Sequence, residues 1–135
     1  MKNIIIIIPV FNDWESIQKL IKEINENISS IKECNFECLI INDASTINQP
    51  NFLKPDCFKS LEILNMKKNK GHARCNAFGI RHVIQNKKFD YLILMDGDGE
   101  DRPIEIKNLV DAIYKKPNIS VVAKRIKRSE GLIFQ

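Results

Sequence analysis

The densest group of side chains with metal-binding chemistry is a run of four carboxylates within residues 96–101. Alternate residues of an extended segment point the same way, so Asp96, Asp98 and Glu100 would share one side. Neighbouring carboxylates repel one another unless a cation lies among them. A small carboxylate set with open coordination positions suits Mg²⁺ or Mn²⁺, which also binds phosphate oxygens. The run therefore favours a divalent metal site. The alternative is an acidic turn, and in either case Asp101 would cap the next helix.

Two other polar groups stand where a ligand could meet them. Asp43 follows a short apolar segment, and its carboxylate would accept hydrogen bonds from a nucleobase or ribose, or would belong to an ordinary turn. Lys70, Arg74 and the backbone amides near Gly71 lie at the start of a predicted helix. Helix N-termini favour anions, so this second group is suited to phosphate.

Apolar segments alternate with amphipathic patterns along the whole chain. The first segment is an unbroken β-branched run, as expected for a strand of a parallel sheet that is covered on both faces. Alternating strands and helices predict a three-layer α/β/α fold with a mostly parallel, Rossmann-like sheet in one domain, residues 1–135. Ligands of such sheets bind beyond the carboxyl ends of the strands. The predicted strands are 4–8, 38–41, 61–66, 91–95 and 119–123, and the segment 47–60 is predicted as loop.

The helix boundaries are predicted from local signals. Pro9 would end the first strand, and Asn12 with Glu15 would form a capping box for the first helix. Pro103 would open the third helix. The buried face of the first helix would hold Trp14, Ile17, Leu20, Ile21, Ile24, Ile28 and Ile31. That of the second would hold Ala73, Ala77, Ile80 and Ile84, and that of the third Ile106, Leu109, Val110 and Ile113.

Composition excludes several classes of protein. Hydrophobic residues make up 44% and charged residues 28%, which excludes a mostly disordered chain. No apolar run approaches the ~20 residues that span a bilayer. No signal-peptide cleavage site follows the isoleucine run, so we expect a mature cytoplasmic chain. The four cysteines show no Cys-x-x-Cys spacing and are expected to be buried thiols. Aromatic content is only 7%, and no motif of a known nucleic-acid-binding domain is recognisable. We therefore expect no nucleic-acid binding.

Charge is arranged in blocks. Residues 67–88 contain seven Lys or Arg and no acid, residues 90–111 contain seven acids, and residues 115–128 contain six bases and no acid. Alternating blocks suit a site that holds both an anion and a cation, or simply form a solvated surface.

Four segments together resemble, in order, the motifs of family 2 glycosyltransferases with a GT-A fold. The segments are Ile5–Asp13, Ile40–Thr46, Asn69–Ile80 and Leu94–Asp98. They are similar to the family's Pro-x-Tyr/Phe-Asn-Glu strand end, its Asp/Asn-Asp-Gly-Ser-Thr-Asp segment, its Asn-x-Gly-x-x-x-Ala-x-Asn-x-Gly segment and its Asp-x-Asp motif. The resemblance implies the half of the fold that binds a nucleotide sugar.

The resemblance also implies roles for individual residues around the nucleotide. Pro9, Phe11 and Asp13 would frame the nucleoside, Asp43 would bind the base, and Arg74 would lie near the base or the diphosphate. The family's last Asp of the second motif is absent here, and its first Asp is Asn in this sequence. Asp43 is therefore the acid that the resemblance leaves for the base.

The acidic run takes its implied role from the same resemblance. Asp96 and Asp98 would hold the ribose and a metal that bridges the diphosphate. The segment 96–103 is similar to the Asp-x-Asp-x-Gln-x-x-Pro of polyprenyl-phosphate sugar synthases, with Glu100 in place of Gln as a third metal ligand. The basic segment 124–131 is faintly similar to the stretch that follows in those enzymes.

The implied reaction is metal-assisted, inverting transfer of a sugar from a nucleoside diphosphate to a glycan or a polyprenyl phosphate, the second at the inner membrane surface. Family members continue with an acceptor-binding half, and the sequence ends at Gln135 without one, so we expect a domain truncated before it. The alternative is a module that binds a nucleotide sugar without turning it over.

Overall fold

The alternating pattern produces a layered α/β structure with a parallel sheet, as predicted. The computed structural model describes residues 1–97, 103, 105–115, 126–127 and 131–132. In chain order the elements are β1 (Lys2–Val10), α1 (Trp14–Ile28), β2 (Cys34–Asn42), β3 (Phe58–Asn65), α2 (His72–Asn86), β4 (Tyr91–Leu94), α3 (Glu105–Lys115), β5 (Ile126–Lys127) and β6 (Gly131–Leu132). The last two strands form a two-residue antiparallel pair.

The four long strands form one parallel sheet in the order β3-β2-β1-β4. The chain moves outward from β1 through β2 to β3 and then crosses back, so that β4 pairs on the other side of β1. Ile6 of β1 therefore lies between Cys38 of β2 and Ile93 of β4. The strand order reverses between β1 and β4.

Each face of β1 lies in a separate hydrophobic cluster. Ile4, Ile6 and Ile8 are packed in a cluster with α1 and α3, whereas Ile5 and Ile7 belong to a second cluster that includes residues of α2. All five side chains are fully buried. Because both faces are covered, the run needs no polar alternation, and the predicted three-layer arrangement is confirmed.

The prediction that Pro9 ends the first strand was wrong, because β1 continues to Val10. The carbonyl of Ile7 accepts the Met95 N–H over 3.0 Å, so alternate residues of β1, including Pro9, direct their backbone groups toward the β4 side. Pairing with β4 stops at Ile7, opposite Leu94. The N–H that proline lacks would therefore have no strand partner on that side.

The N-cap of α1 is Asp13 and not the predicted Asn12. The Asp13 side chain accepts a hydrogen bond from the Ser16 N–H over 3.4 Å. Asn12 has a φ of 64° and uses its side chain elsewhere. The helix ends at Ile28, and Ile31 is buried just beyond it. The predicted apolar face of α1 is otherwise confirmed.

The predicted buried face of α2 was partly wrong. The side that is buried carries Cys75, Gly79 and Val83. Ala73 and Ala77 are exposed, Ile84 is 63% exposed, and Ile80 is partly buried. A Cβ at Gly79 would lie only 3.0 Å from Ile7 Cγ2, so the helix approaches the sheet closely at Gly79. Close approach decided the orientation, and the bulkier Ile84 was left outside.

Other boundaries differ by a few residues. β2 extends to nine residues because every residue of β1 has a partner in it, from Lys2 opposite Cys34 to Val10 opposite Asn42. Pro103 precedes α3, and Ile106, Leu109 and Val110 of that helix are buried as predicted. The predicted strand 119–123, the Asp101 cap and the side chain of Ile113 lie outside the described residues. Within the described part, no helix has the length and apolarity needed to cross a membrane.

Candidate functional site

A small cavity lies at the carboxyl edge of the sheet, where the strand order reverses between β1 and β4. Its volume is about 150 Å³. Open α/β sheets bind ligands at this topological position, in the crevice outside the carboxyl ends of the strands. The lining comes from the end of β1, the N-cap of α1, the start of α2 and the residue after Asp96. The lining residues are Pro9, Val10, Phe11, Asp13, His72 and Gly97.

Three of the residues predicted from sequence are brought together around this cavity. Pro9 is buried in the strand, whereas Asp13 is exposed and Phe11 keeps 41% of its surface in solvent. An exposed aromatic ring at the rim of a polar cavity is suited to stacking against a planar group. His72 was assigned no role from the sequence. The feature of the sequence that could have indicated a role for His72 is its position directly after the Gly71 turn, at the first residue of a helix.

Asn12 holds the loop that carries Phe11. Its Oδ1 accepts hydrogen bonds from the backbone N–H groups of Thr46 and Ile47, at 2.7 and 3.0 Å. Its own N–H donates to Ser45 Oγ over 2.8 Å. The Asn12 side chain, which was expected to cap α1, therefore links the loop after β1 to the loop after β2. This link fixes the rim of the cavity.

Asp43 lies beside this edge, but its carboxylate faces the protein. The residue is 1% exposed. Oδ1 accepts the Lys70 N–H over 2.7 Å and Oδ2 accepts the Gly71 N–H over 2.9 Å. Its backbone N–H donates to the Val10 carbonyl over 2.8 Å. Asp43 thus ties the end of β2 to β1 and to the turn that starts α2. Base recognition by Asp43 stays a prediction.

The two predicted cations lie at the start of α2 but do not line the small cavity. Arg74 is exposed on the helix surface. The Lys70 side chain lines a separate cavity of about 460 Å³, together with Lys67, Lys68 and Phe78. No side chain caps α2, and the first-turn N–H groups of a helix lack partners within the helix. The start of α2 is therefore an electropositive edge of the site.

The predicted metal set is only partly described. Asp96 is 3% exposed and lies two residues after the end of β4, next to the cavity residue Gly97. Asp98 and Glu100 lie outside the described residues. No cluster of three or more His, Cys, Asp or Glu residues with metal-binding geometry occurs within the described part. A buried carboxylate at a strand end fits one ligand of a hard cation, and the complete set stays a prediction.

The cysteines are free thiols, and three of the four are buried, close to the expectation. Burial, together with the adjacent Asp43 carboxylate, raises the pKa of Cys75 to about 12. Burial alone raises the pKa of Cys38 to about 12. Both thiols are therefore protonated near neutral pH, and Cys75 is no nucleophile for the site beside it.

Similarity to a known protein family indicates which class of protein has a site of this kind at the edge of its sheet. The family model described as Glycosyl transferase family 2 matches residues 5–134. The chain belongs to glycosyl transferase family 2. The match spans the sheet, the cavity and all the predicted site residues, and it confirms the family and the GT-A type of fold that the four motifs predicted.

One curated relative is the uncharacterized protein MJ0544 of Methanocaldococcus jannaschii. It is 25% identical to the chain over 109 residues, which cover 78% of the chain and 44% of the relative. The chain therefore spans less than half the length of this relative.

Proposed function

We propose that the chain binds a nucleoside-diphosphate sugar at the cavity between β1 and β4 and forms the donor side of a glycosyltransferase. The observation that carries this proposal is the meeting of Pro9, Phe11 and Asp13 with Gly97, the residue after Asp96, at the reversal of the strand order. Membership of family 2 supports the reaction class, and the position of the cavity supports the place of the donor.

The nucleoside would lie against the rim of the cavity. The half-exposed ring of Phe11 offers a stacking face for the base, and Asp13 offers an exposed carboxylate for hydroxyl or amine donors. His72 lines the same space and would contact the ribose or the diphosphate. Asp43 would position the Lys70–Gly71 turn from beneath, and direct contact with the base would require its carboxylate to be uncovered first.

The reaction would be a single displacement with inversion at the sugar carbon. The acceptor oxygen forms a bond to that carbon while the bond to the diphosphate oxygen breaks, and the nucleoside diphosphate leaves with the electron pair. Lys70, Arg74 and the uncapped amides at the start of α2 would stabilise the developing negative charge. Mg²⁺ or Mn²⁺ held by Asp96, with Asp98 and Glu100, would supply further charge neutralisation when bound.

The acceptor determines whether a general base is required. A hydroxyl acceptor loses a proton during transfer, whereas a phosphate acceptor is already anionic. We propose a polyprenyl phosphate acceptor at the cytoplasmic membrane surface, on the strength of the acidic segment 96–103 and the basic segment 124–131. Transfer to sugar hydroxyls, with none to a polyprenyl phosphate, would contradict this choice and favour a glycan.

Donor binding is tested by calorimetric titration of the full chain with UDP, GDP and their sugar conjugates, with and without Mn²⁺. Loss of one base-stacking ring typically costs about 1–3 kcal/mol, so Phe11→Ala is expected to weaken binding by that amount. Phe78→Ala is the matched control, because Phe78 is similarly exposed but lies outside the cavity between β1 and β4. Equal effects of the two substitutions, or no nucleotide binding by the unaltered chain, would contradict the proposal.

Turnover separates a transferase from a donor-binding module. The assay follows release of nucleoside diphosphate and of labelled lipid when polyprenyl phosphate is added to the donor complex. Asp96→Asn keeps the size of the side chain but removes its charge, so it is expected to abolish the effect of Mn²⁺ on donor affinity. Tight donor binding with no transfer to any acceptor would favour the non-catalytic module.

A further inference from the structure

The solvent face of α2 is basic and partly apolar. The helix contains no acidic residue along its whole length, His72–Asn86. Its exposed side, opposite the buried Cys75, Gly79 and Val83, presents Arg74 and Arg81. On the same side, Phe78 is 37% exposed and Ile84 is 63% exposed.

The other two helices have a different surface. The exposed positions of α1 include Glu15, Lys19, Lys22 and Glu26, which mix the two signs of charge. Those of α3 include both Lys107 and Asp111. A mixed surface is the usual solution for a solvent-facing helix, since it limits both repulsion and non-specific attraction. The one-signed surface of α2 is therefore a local feature of the fold.

The cations around α2 have few internal partners. Seven Lys or Arg lie within residues 67–88 without an acid among them. Lys87 contacts Glu37 at 3.5 Å and Glu62 at 3.9 Å. The other six are exposed, and none has a carboxylate within ion-pairing distance in the part of the chain that the structure describes.

A cavity extends this face toward the end of β3. It is lined by Lys67, Lys68 and Lys70 together with Met66 and Phe78, and its volume is about 460 Å³. Phe78 lines the cavity from α2, so the helix face and the cavity form one surface. This basic face, as we call it, consists of Lys67, Lys68, Lys70, Phe78, Arg81 and Ile84.

We propose that the basic face docks on the surface of an anionic phospholipid bilayer. The cations would pair with lipid phosphates, and each Lys or Arg near such a surface strengthens the attraction. Phe78 and Ile84 would enter the boundary between headgroups and acyl chains, as apolar side chains do on interfacial helices. The charge complementarity alone would also suit RNA. The exposed aliphatic Ile84 favours lipid, because it has no ring to stack on a base.

This inference goes beyond donor binding and does not depend on it. Lys70 and Arg74 belong to the proposed donor site, so the test uses Arg81, Phe78 and Ile84. None of these three lines the cavity between β1 and β4. Nucleotide affinity measured on the same variants therefore reports separately on the donor site.

The test is flotation of the full chain with vesicles of phosphatidylcholine alone or with about 30% phosphatidylglycerol, an anionic lipid. We expect binding to the anionic vesicles only, with loss of binding as salt rises from about 0.1 M to about 0.5 M. Arg81→Glu changes the local charge by two units and is expected to weaken partition about tenfold or more. The double variant Phe78→Ser/Ile84→Ser is expected to weaken it at unchanged charge.

Lys19→Glu on α1 is the matched control. α1 lies on the opposite face of the sheet, beyond the screening length of about 10 Å at 0.1 M salt, so its effect should stay within about twofold. Equal losses from Lys19→Glu and Arg81→Glu would overturn the proposal, as would no binding to anionic vesicles. Binding of a single-stranded RNA that Arg81→Glu abolishes, without vesicle binding, would reassign the face to nucleic acid and also overturn it.

Discussion

The Oδ2 atom of Asp43 accepts a hydrogen bond from the Gly71 N–H over 2.9 Å, across 28 residues of sequence. Asp43 stands at the end of β2, and Gly71 is the N-cap of α2. One buried carboxylate therefore sets where the helix of the opposite layer begins. Because the start of α2 contributes His72 to the cavity, this contact also sets the shape of the proposed donor site.

Asp43→Asn is expected to lower the free energy of unfolding by about 1–3 kcal/mol. The amide has one acceptor oxygen, so one of the two backbone N–H groups at Lys70 and Gly71 would face an NH₂ donor in a buried place. Urea denaturation monitored by circular dichroism measures the loss. Asp56→Asn, an exposed position, is the control and should change stability little. Equal values for the two variants would contradict the assigned role.

Gly71→Ala is expected to cost about 1–3 kcal/mol through the backbone alone. Gly71 has φ 88° and ψ 159°, a region that is essentially restricted to glycine. A Cβ there would meet nothing within 4 Å, so steric contact adds nothing. Gly71→Asn should be equally destabilising, because the left-handed conformation that Asn tolerates has a much smaller ψ. A stable Asn variant in urea denaturation would refute the argument.

Asn12→Gly is expected to loosen the rim of the cavity while leaving the backbone conformation accessible. Glycine accommodates the φ of 64° but removes the Oδ1 that accepts from Thr46 and Ile47. Hydrogen exchange of those two amides should accelerate, while exchange in the core strands stays slow. Asn12→Ala should show the same acceleration and an added loss of global stability. Unchanged exchange at Thr46 and Ile47 would show that other groups hold the loop.

Much of this fold could be predicted because its signals are local. Helix α1 repeats apolar residues at helical spacing, and β1 is an uninterrupted isoleucine run, so element type and layering followed directly. The polar residues after β1, β2 and β4 could be placed at one edge, since parallel strands end together. The shared cavity of Pro9, Phe11 and Asp13 agrees with that placement.

The errors arose where long-range contacts decided the outcome. Asn12 has the composition of a helix cap, but its side chain binds backbone groups 34 and 35 residues away. Ile84 has the helical spacing of a core residue, but α2 approaches the sheet along Gly79. Asp43 shows the same limit without an error: nothing local reveals that its carboxylate accepts the Lys70 and Gly71 N–H groups, and its role in base binding stays a prediction. A short stretch of sequence does not contain the information that decides these long-range contacts.

Gly97→Ala is expected to destabilise the protein and to do so less when Ile17 is shortened. Gly97 is buried after Asp96, and a Cβ there would overlap Ile17 Cδ1, whose side chain is fully buried. Overpacking of this kind costs about 1–3 kcal/mol. Ile17→Val removes Cδ1 at a cost of about 0.5–1.5 kcal/mol on its own. The double variant should be more stable than the sum of the two losses predicts, and additive losses in urea denaturation would exclude the contact.

Stability is expected to fall between about pH 9 and about pH 12 because of two buried thiols. Burial raises the pKa of Cys38 and of Cys75 to about 12, from an ordinary value of 9.0. In this window the unfolded chain releases both thiol protons while the native chain keeps them, so the unfolded state binds fewer protons and stability drops as pH rises. Urea denaturation at about pH 8 and about pH 10.5 measures the slope. Cys38→Ala and Cys75→Ala should each flatten it, and slopes identical to that of the unaltered chain would contradict the assignment.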